Sequence, residues 1–199
     1  MVLSLVTIVL HIREKRSSWE LNAVRKMLGL YIYGVLRQLY IKFSFDFCLI
    51  LYSCYGWYRW GGKKNKKKLR VTRVPLFEYI LLFVLGIAGG ILLGDLFAYW
   101  VPGSKKPYYD GFHTLFVMIT YILLAEKKRE AWLFWSVANI TYIALFWGDV
   151  VDKLHSKGAL ESAQLLCKYV GYIFLGLHGL LKWHRAMQRN TPRKGAARS

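Results

Sequence analysis

The sequence predicts an all-α integral membrane protein with about seven transmembrane helices in a parallel 3+1+3 repeat. Three observations carry that expectation. Apolar segments of near-spanning length alternate with short clusters of Lys and Arg, a tryptophan-containing pattern recurs along the chain, and one span is left over between its two copies.

Of 199 residues, 55% are hydrophobic and 17% aromatic, yet the formal net charge is +18. Those properties coexist when the charge sits in loops and tails and the apolar residues form the spans. A bilayer core about 30 Å thick needs about 20 helical residues, which places spans near 21–38, 43–60, 76–100, 112–125, 131–150 and 161–183. Ahead of them, Val2 to Ile12 covers about half a bilayer at about 1.5 Å per residue. Its cations Arg13, Lys15 and Arg16 follow the apolar run, the wrong order for a cleaved signal peptide, so the segment reads as a short or truncated first span. The expected units are a first three-helix bundle (1–60), a basic cytoplasmic loop (61–75), a linker helix (76–100), a second bundle (112–184) and a basic cytoplasmic tail (185–199).

Cytoplasmic loops accumulate Lys and Arg. With seven spans, 22 of the 29 basic residues fall on one side, including the seven between Lys63 and Arg73; six fall on the other and Lys168 stays within a span. The protein is thus expected in the cell (inner) membrane as a multi-pass chain, N-terminus outside and C-terminus in the cytoplasm. The densest cluster directly follows a span, where anionic lipid attracts it; the lipid bilayer, not nucleic acid, is the expected partner. Cys48, Cys54 and Cys167 lie in spans without metal or redox spacing and read as packing residues. The five His form no metal motif, so neither a metal nor another cofactor is expected.

The repeat is read from two registers. Tyr55-Gly-Trp-Tyr-Arg-Trp60 lies over His178-Gly-Leu-Leu-Lys-Trp183 at an interval of 123, and Ser18-Trp-Glu-Leu-Asn22 over Ala131-Trp-Leu-Phe-Trp135 at 113. The difference is absorbed by the longer loop around 153–161. A single linker span gives both copies the same orientation, and its Gly86-Ile-Ala-Gly-Gly90 stretch is expected to pack against both bundles.

In the sixth span Trp132, Trp135 and Asn139 share a 60° arc at about 100° per residue. Two indoles beside an amide suit a flat heteroaromatic ligand. An interfacial aromatic belt explains Trp132 equally well but not an amide in hydrocarbon. In the third span Asp46, Ser53, Trp57 and Trp60 share a similar arc; Asp46 faces a cavity or is a paired structural carboxylate. The last span groups Tyr169, Tyr172, Gly176, Gly179, Leu180 and Trp183, and the fifth groups Asp110, His113, Thr114, Val117 and Tyr121. The candidate substrate-binding residues are Trp132, Trp135, Asn139, Asp46, Trp57, Thr114, Tyr121 and Tyr169, and no residue reads as catalytic.

On these residues the chain resembles the PnuC-type vitamin transporters. Tyr55-Gly-Trp-Tyr-Arg-Trp60 resembles the family's ending of the third span, and Trp132-x-x-Trp135-x-x-x-Asn139-x5-Leu145 its substrate-site motif. Asp110-Gly-Phe-His-Thr114 and Leu123-Leu-Ala-Glu-Lys-Lys128 resemble the stretch leading into that motif. The resemblance implies a SWEET-like fold and facilitated uptake of a vitamin precursor, trapped by phosphorylation in the cytoplasm, with Trp132, Trp135 and Asn139 binding it. The chain departs from the family in carrying Asp46 where Gln is frequent, and Lys42 in Leu39-Tyr-Ile-Lys42. Nicotinamide riboside leads, with thiamine and riboflavin-like compounds as alternatives. Asp46 tilts the choice toward ligands with a fixed positive charge, because a carboxylate only accepts hydrogen bonds.

Two other classes compete. Seven spans with Lys168 in the last one meet the minimum for a retinal protein, but no carboxylate pair is spaced as its counter-ion and proton donor. A membrane enzyme acting on lipid phosphate needs clustered carboxylates or a nucleophile with a base, and neither is present. Whether copies of the chain associate stays open.

Overall fold

The structure, a computed structural model, describes residues 2–31, 40–61, 69–100, 106–152 and 159–190. The described residues form seven helices: α1 (Val2–Ile12), α2 (Ser17–Leu30), α3 (Tyr40–Trp60), α4 (Leu76–Trp100), α5 (Pro107–Ala125), α6 (Ala131–Asp152) and α7 (Ala159–Asn190). Leu76–Trp100, Ala131–Gly148 and Ser162–Arg189 are each long and apolar enough to cross a membrane by themselves. Helix α5 begins at Pro107, ahead of the expected 112, because proline is favoured in a first helical turn. The outer end of the expected second span, the run at 62–68 and the loop at 153–158 lie outside the described residues.

The repeat shows in the backbone itself. At the end of α1 the Lys15 N–H donates to the Leu10 carbonyl at 2.9 Å and the Glu14 N–H to that of His11 at 3.0 Å, with Glu14 in the left-handed region at φ 54°. This is a Schellman turn, which satisfies carbonyls a helix end leaves open. At an interval of 113, α5 ends identically: Lys128 N–H to Leu123 O at 2.8 Å, Lys127 N–H to Leu124 O at 3.0 Å, and Lys127 at φ 51°. One pair of threonines keeps the same interval, Thr7 donating to the Leu3 carbonyl and Thr120 to that of Phe116.

Tryptophans repeat the correspondence at the side-chain level. Trp19 packs on Gly56 and edge-on to Trp60, centroids 5.4 Å apart at 88°; Trp132 packs on Gly179 and edge-on to Trp183, 5.6 Å apart at 88°. A Cβ on either glycine would approach the indole within 2.4 Å or 2.6 Å, so only glycine admits these rings.

Helix neighbours follow the same exchange. Within the copies α1 packs on α2 as α5 does on α6, and α2 on α3 as α6 on α7; between them α1 meets α7 as α5 meets α3. The two Schellman turns touch through an ion pair between Glu14 and Lys127 at 2.8 Å. Equivalent turns in contact lie at one end of the molecule, so the copies run parallel; inverted copies would hold them at opposite ends. This end, where the basic residues gather, is called the basic end below.

Helix α4 corrects one expectation. Its glycine stripe serves α5 alone: Gly86, Gly90 and Gly94 receive Phe116, Phe112 and Tyr108, and a Cβ on Gly111 would lie 2.5 Å from the Gly90 carbonyl oxygen. Helix backbones meet that closely only through small residues. Contact with the first bundle comes from Phe97 against Phe45, centroids 5.7 Å apart. Elsewhere α4 exposes Phe77, Leu81, Val84, Leu92 and Trp100, the surface expected of a span facing lipid.

The end of the basic loop is built into the fold. Thr72 bridges Lys128, its N–H donating to Lys127 O at 3.1 Å while its carbonyl accepts from Arg129 N–H at 3.1 Å, and Val74 N–H donates to Glu130. Val71 and Val74 are buried beside these bonds.

Candidate functional site

A cavity opens between the two bundles, just beyond the tryptophans of the basic end. Helix α1 contributes Ser4, Thr7, Ile8 and His11, α2 contributes Asn22 and Arg25, α5 contributes Tyr121 and Leu124, α6 contributes Trp132 and Trp135, and α7 contributes Tyr172. The spacings set these faces: Asn22 with Arg25, and Trp132 with Trp135, each stand three residues apart and so share a side of their helix.

A hydrogen-bonded network joins the bundles across the cavity. The Tyr121 hydroxyl donates to Asn22 Oδ1 at 2.7 Å, and Asn22 Nδ2 donates to Ser53 Oγ at 2.7 Å, whose own hydroxyl donates a hydrogen bond to the Leu49 carbonyl. Arg25 Nη2 reaches Asn22 Oδ1 at 2.8 Å and the Tyr121 oxygen at 3.2 Å, and Nη1 reaches Ser4 Oγ at 3.1 Å. Each partner is neutral.

Other polar atoms here have no partner among the described residues. His11 Nε2, Arg25 Nε, Trp132 Nε1, Trp135 Nε1 and the Tyr172 hydroxyl are buried and unpaired, and all five residues line the cavity. Buried polar groups are normally satisfied, and leaving one unmade costs about 1–3 kcal/mol. Concentration of such atoms around one cavity marks a place for a polar ligand. Indole and phenol rings beside them offer flat apolar faces.

Of the eight residues proposed from sequence, three line this cavity: Trp132, Trp135 and Tyr121. Asn139, one turn beyond Trp135, is buried and donates to the Trp135 carbonyl at 2.6 Å instead of facing the cavity. Tyr169 belongs to an aromatic layer further along, with Tyr142 at 5.0 Å and Phe146 stacked at 5.6 Å. Thr114 also lies outside the cavity lining, on α5 next to His113, whose ring stacks on Tyr142 at 3.9 Å.

Asp46 and Trp57 are placed differently from their expectation. Asp46 is buried and its Oδ1 is 2.6 Å from Lys26 Nζ. Its counter-charge comes from within the chain, so the carboxylate does not call for a cationic ligand. Trp57 is exposed near the basic end, donating its Nε1 to Glu20 at 2.6 Å under the Arg16 guanidinium, 3.5 Å above the ring. That is the setting of an aromatic belt residue.

Sequence reasoning missed Asn22, Arg25 and His11. Asn22 carried a faint signal, since it stands at the repeat position of Trp135, and Lys26 stands at that of Asn139. The second bundle thus presents aromatic and amide groups where the first presents amide and charge.

On the basic side the cavity is shut. Trp19, Trp60 and Trp183 pack together, Trp60 Nε1 donates to the carbonyls of Leu124 and Ala125, and Lys127 lies 4.8 Å over the Trp60 ring. Outside the spans, Glu126 joins Arg59 and accepts from the Tyr55 hydroxyl at 2.5 Å. Partial burial opposes its charge, but the hydrogen bonds from Arg59 and Tyr55 prevail and hold its carboxyl below the ordinary value of 4.5.

Comparison with known proteins gives consistent relatives. A family model described as nicotinamide mononucleotide transporter matches residues 1–185. A nicotinamide riboside transporter PnuC of Neisseria mucosa is 25% identical over 133 residues, 66% of this chain and 47% of that protein, so the chain spans about half the length of that relative. The nicotinamide riboside transporter PnuC of Escherichia coli K12 is 20% identical over 197 residues, 85% of this chain and 77% of that one. Among solved structures, the crystal structure of the vitamin B3 transporter PnuC superposes with a TM-score of 0.68 at 18% identity, covering 96% of this chain and 80% of that chain, which shows a shared fold.

Proposed function

Because the chain belongs to the nicotinamide mononucleotide transporter family, we propose that it is a multi-pass membrane transporter for facilitated uptake of a vitamin precursor, nicotinamide riboside, trapped by phosphorylation in the cytoplasm. The observation that carries the reading is the cavity between the parallel bundles, where the indole N–H groups of Trp132 and Trp135 and three further buried polar atoms, on His11, Arg25 and Tyr172, have no partner among the described residues. A pyridinium ring stacks on indole, and a carboxamide and ribose supply acceptors and donors to unpaired groups.

The matched family is described as a transporter, not an enzyme. No carboxylate lines the cavity among the described residues, and no group of three His, Cys, Asp or Glu is placed to hold a metal there. Transport then requires that the basic end open, by a rocking of one parallel bundle against the other. The charge asymmetry supports an orientation with the basic end in the cytoplasm and the N-terminus outside, and lipid contacts follow from the exposed face of α4.

The test is uptake of labelled nicotinamide riboside into proteoliposomes without an energy source, beside thiamine and riboflavin. Saturable uptake of nicotinamide riboside above empty vesicles, with the others slower, is the expected result. Equal flux into empty and protein-containing vesicles for all three contradicts the reading.

A further inference from the structure

Of the five unpaired polar atoms on residues around the cavity, Arg25 Nε, Trp132 Nε1 and Trp135 Nε1 can only donate, and the Tyr172 hydroxyl acts in either sense. His11 Nε2 is the exception. The other nitrogen of its ring, Nδ1, lies 3.0 Å from the Thr7 carbonyl. A carbonyl only accepts, so Nδ1 carries the hydrogen and the neutral ring leaves Nε2 as a bare lone pair. Edge contacts with Trp19 at 4.6 Å and Trp60 at 5.7 Å hold the ring in that orientation. Asn22 Oδ1, the Tyr121 oxygen and Ser4 Oγ already accept from within the network. Among the described residues, the cavity is therefore rich in donors and has in His11 Nε2 an unengaged side-chain atom that can only accept.

A pyridine nucleoside meets such a set of groups unequally. Ribose hydroxyls both donate and accept, and a carboxamide oxygen accepts, so the unpaired donors serve all of these. The amide nitrogen only donates and needs an acceptor. We propose that His11 reads the ring substituent of the ligand, its Nε2 accepting from the amide N–H, so that the cavity selects a pyridine nucleoside with a primary carboxamide over one whose substituent cannot donate. This rests on the functional reading above and names the residue that recognises that group. A site built to accept from a ligand N–H rejects the analogue without it, because the buried acceptor is then left bare.

The test compares nicotinamide riboside with 3-acetylpyridine riboside, which has the same ring charge and nearly the same shape but a methyl group in place of the amide nitrogen. Both are titrated by calorimetry into the purified full chain at about pH 7.5, above the ordinary imidazole value of about 6.5, in the wild type, His11→Phe and His11→Gln. In the wild type, nicotinamide riboside binds at least about tenfold tighter, the scale of one buried hydrogen bond left unmade. His11→Phe keeps a ring against Trp19 without the acceptor, and brings the ratio to about one by weakening nicotinamide riboside alone. His11→Gln, whose side-chain oxygen accepts from a different reach, keeps part of the ratio. Equal affinities of the two compounds in the wild type overturn the proposal alone. So does an unchanged ratio in His11→Phe, with both compounds weakened together, which is the result of a purely structural His11. Should His11→Phe not fold, equal changes for both compounds in His11→Gln overturn it in the same way. Binding of neither compound to the wild type overturns the functional reading along with it.

Discussion

Glu14 and Lys127 occupy the same position in the two copies of the repeat, both in the left-handed region of the backbone, and their side chains form an ion pair with each other at 2.8 Å. The left-handed conformation of a residue with a side chain costs about 1 kcal/mol or more, and glycine is its usual occupant. Here both copies keep a charged residue instead, and the two charges tie the copies together at the basic end.

That tie predicts a measurable coupling. Lys127 has 4% of its side chain exposed, so Glu14→Gln leaves a buried ammonium without its carboxylate. Thermal unfolding in detergent of Glu14→Gln, Lys127→Met and the double variant gives a coupling energy of about 1–3 kcal/mol. Additive effects would show the pair to be incidental.

Three glycines and a control test the packing. Gly56→Ala, Gly179→Ala and Gly111→Ala drive a methyl into Trp19, Trp132 and the α4 backbone respectively, and each lowers stability by about 1–3 kcal/mol. Gly171, which has nothing within 4 Å of its added Cβ, accepts alanine without loss or with a small gain, since alanine is the better helix former. A loss at Gly171 equal to the others would contradict the assigned contacts.

Asp46→Asn is expected to destabilise the protein by removing the counter-charge of Lys26, and to leave the order of ligand affinities unchanged. Combining it with Lys26→Met restores part of the stability, because a buried pair replaced together is tolerated better than one broken. A change in ligand order in Asp46→Asn, with stability intact, would return Asp46 to the binding site.

Glu126 makes the basic end acid-sensitive. Its carboxyl titrates below its ordinary 4.5 in the folded protein, so the stabilisation is complete above the unfolded value and is lost as pH falls through the lower folded value. Unfolding temperatures of wild type and Glu126→Gln therefore differ most above about pH 5 and converge on acidification. A constant gap between pH 7 and pH 3 would rule this out.

How much was legible in the sequence depended on how local the signal was. The intervals of 113 and 123 rest on Trp19 with Trp132, and on Gly56 and Trp60 with Gly179 and Trp183, residues whose size and smallness must match in both copies. Those identities survive because the same ring needs the same gap twice. Glu14 and Lys127 share backbone geometry but have opposite charge, so no residue comparison pairs them. Asp46 and Trp57 show the limit of helical periodicity: a shared arc groups residues on one face without naming what each meets along its length. Lys26 waits beside Asp46, whereas Glu20 and Arg16 take Trp57 at the exposed end. Arg25 escaped notice because a cation next to a span looks like a topology signal until the partner helices close around it.

The most direct test of the account is the affinity for nicotinamide riboside, by calorimetry, in Trp135→Ala and Trp57→Ala. Trp135 lines the cavity with its Nε1 unpaired, and Trp57 lies outside it against Glu20. Trp135→Ala is predicted to weaken binding by about five- to thirtyfold, the loss of one indole face to a desolvated cationic ring, while Trp57→Ala binds as the wild type does. Weakened binding in Trp57→Ala with Trp135→Ala unaffected would place the site elsewhere and contradict the account.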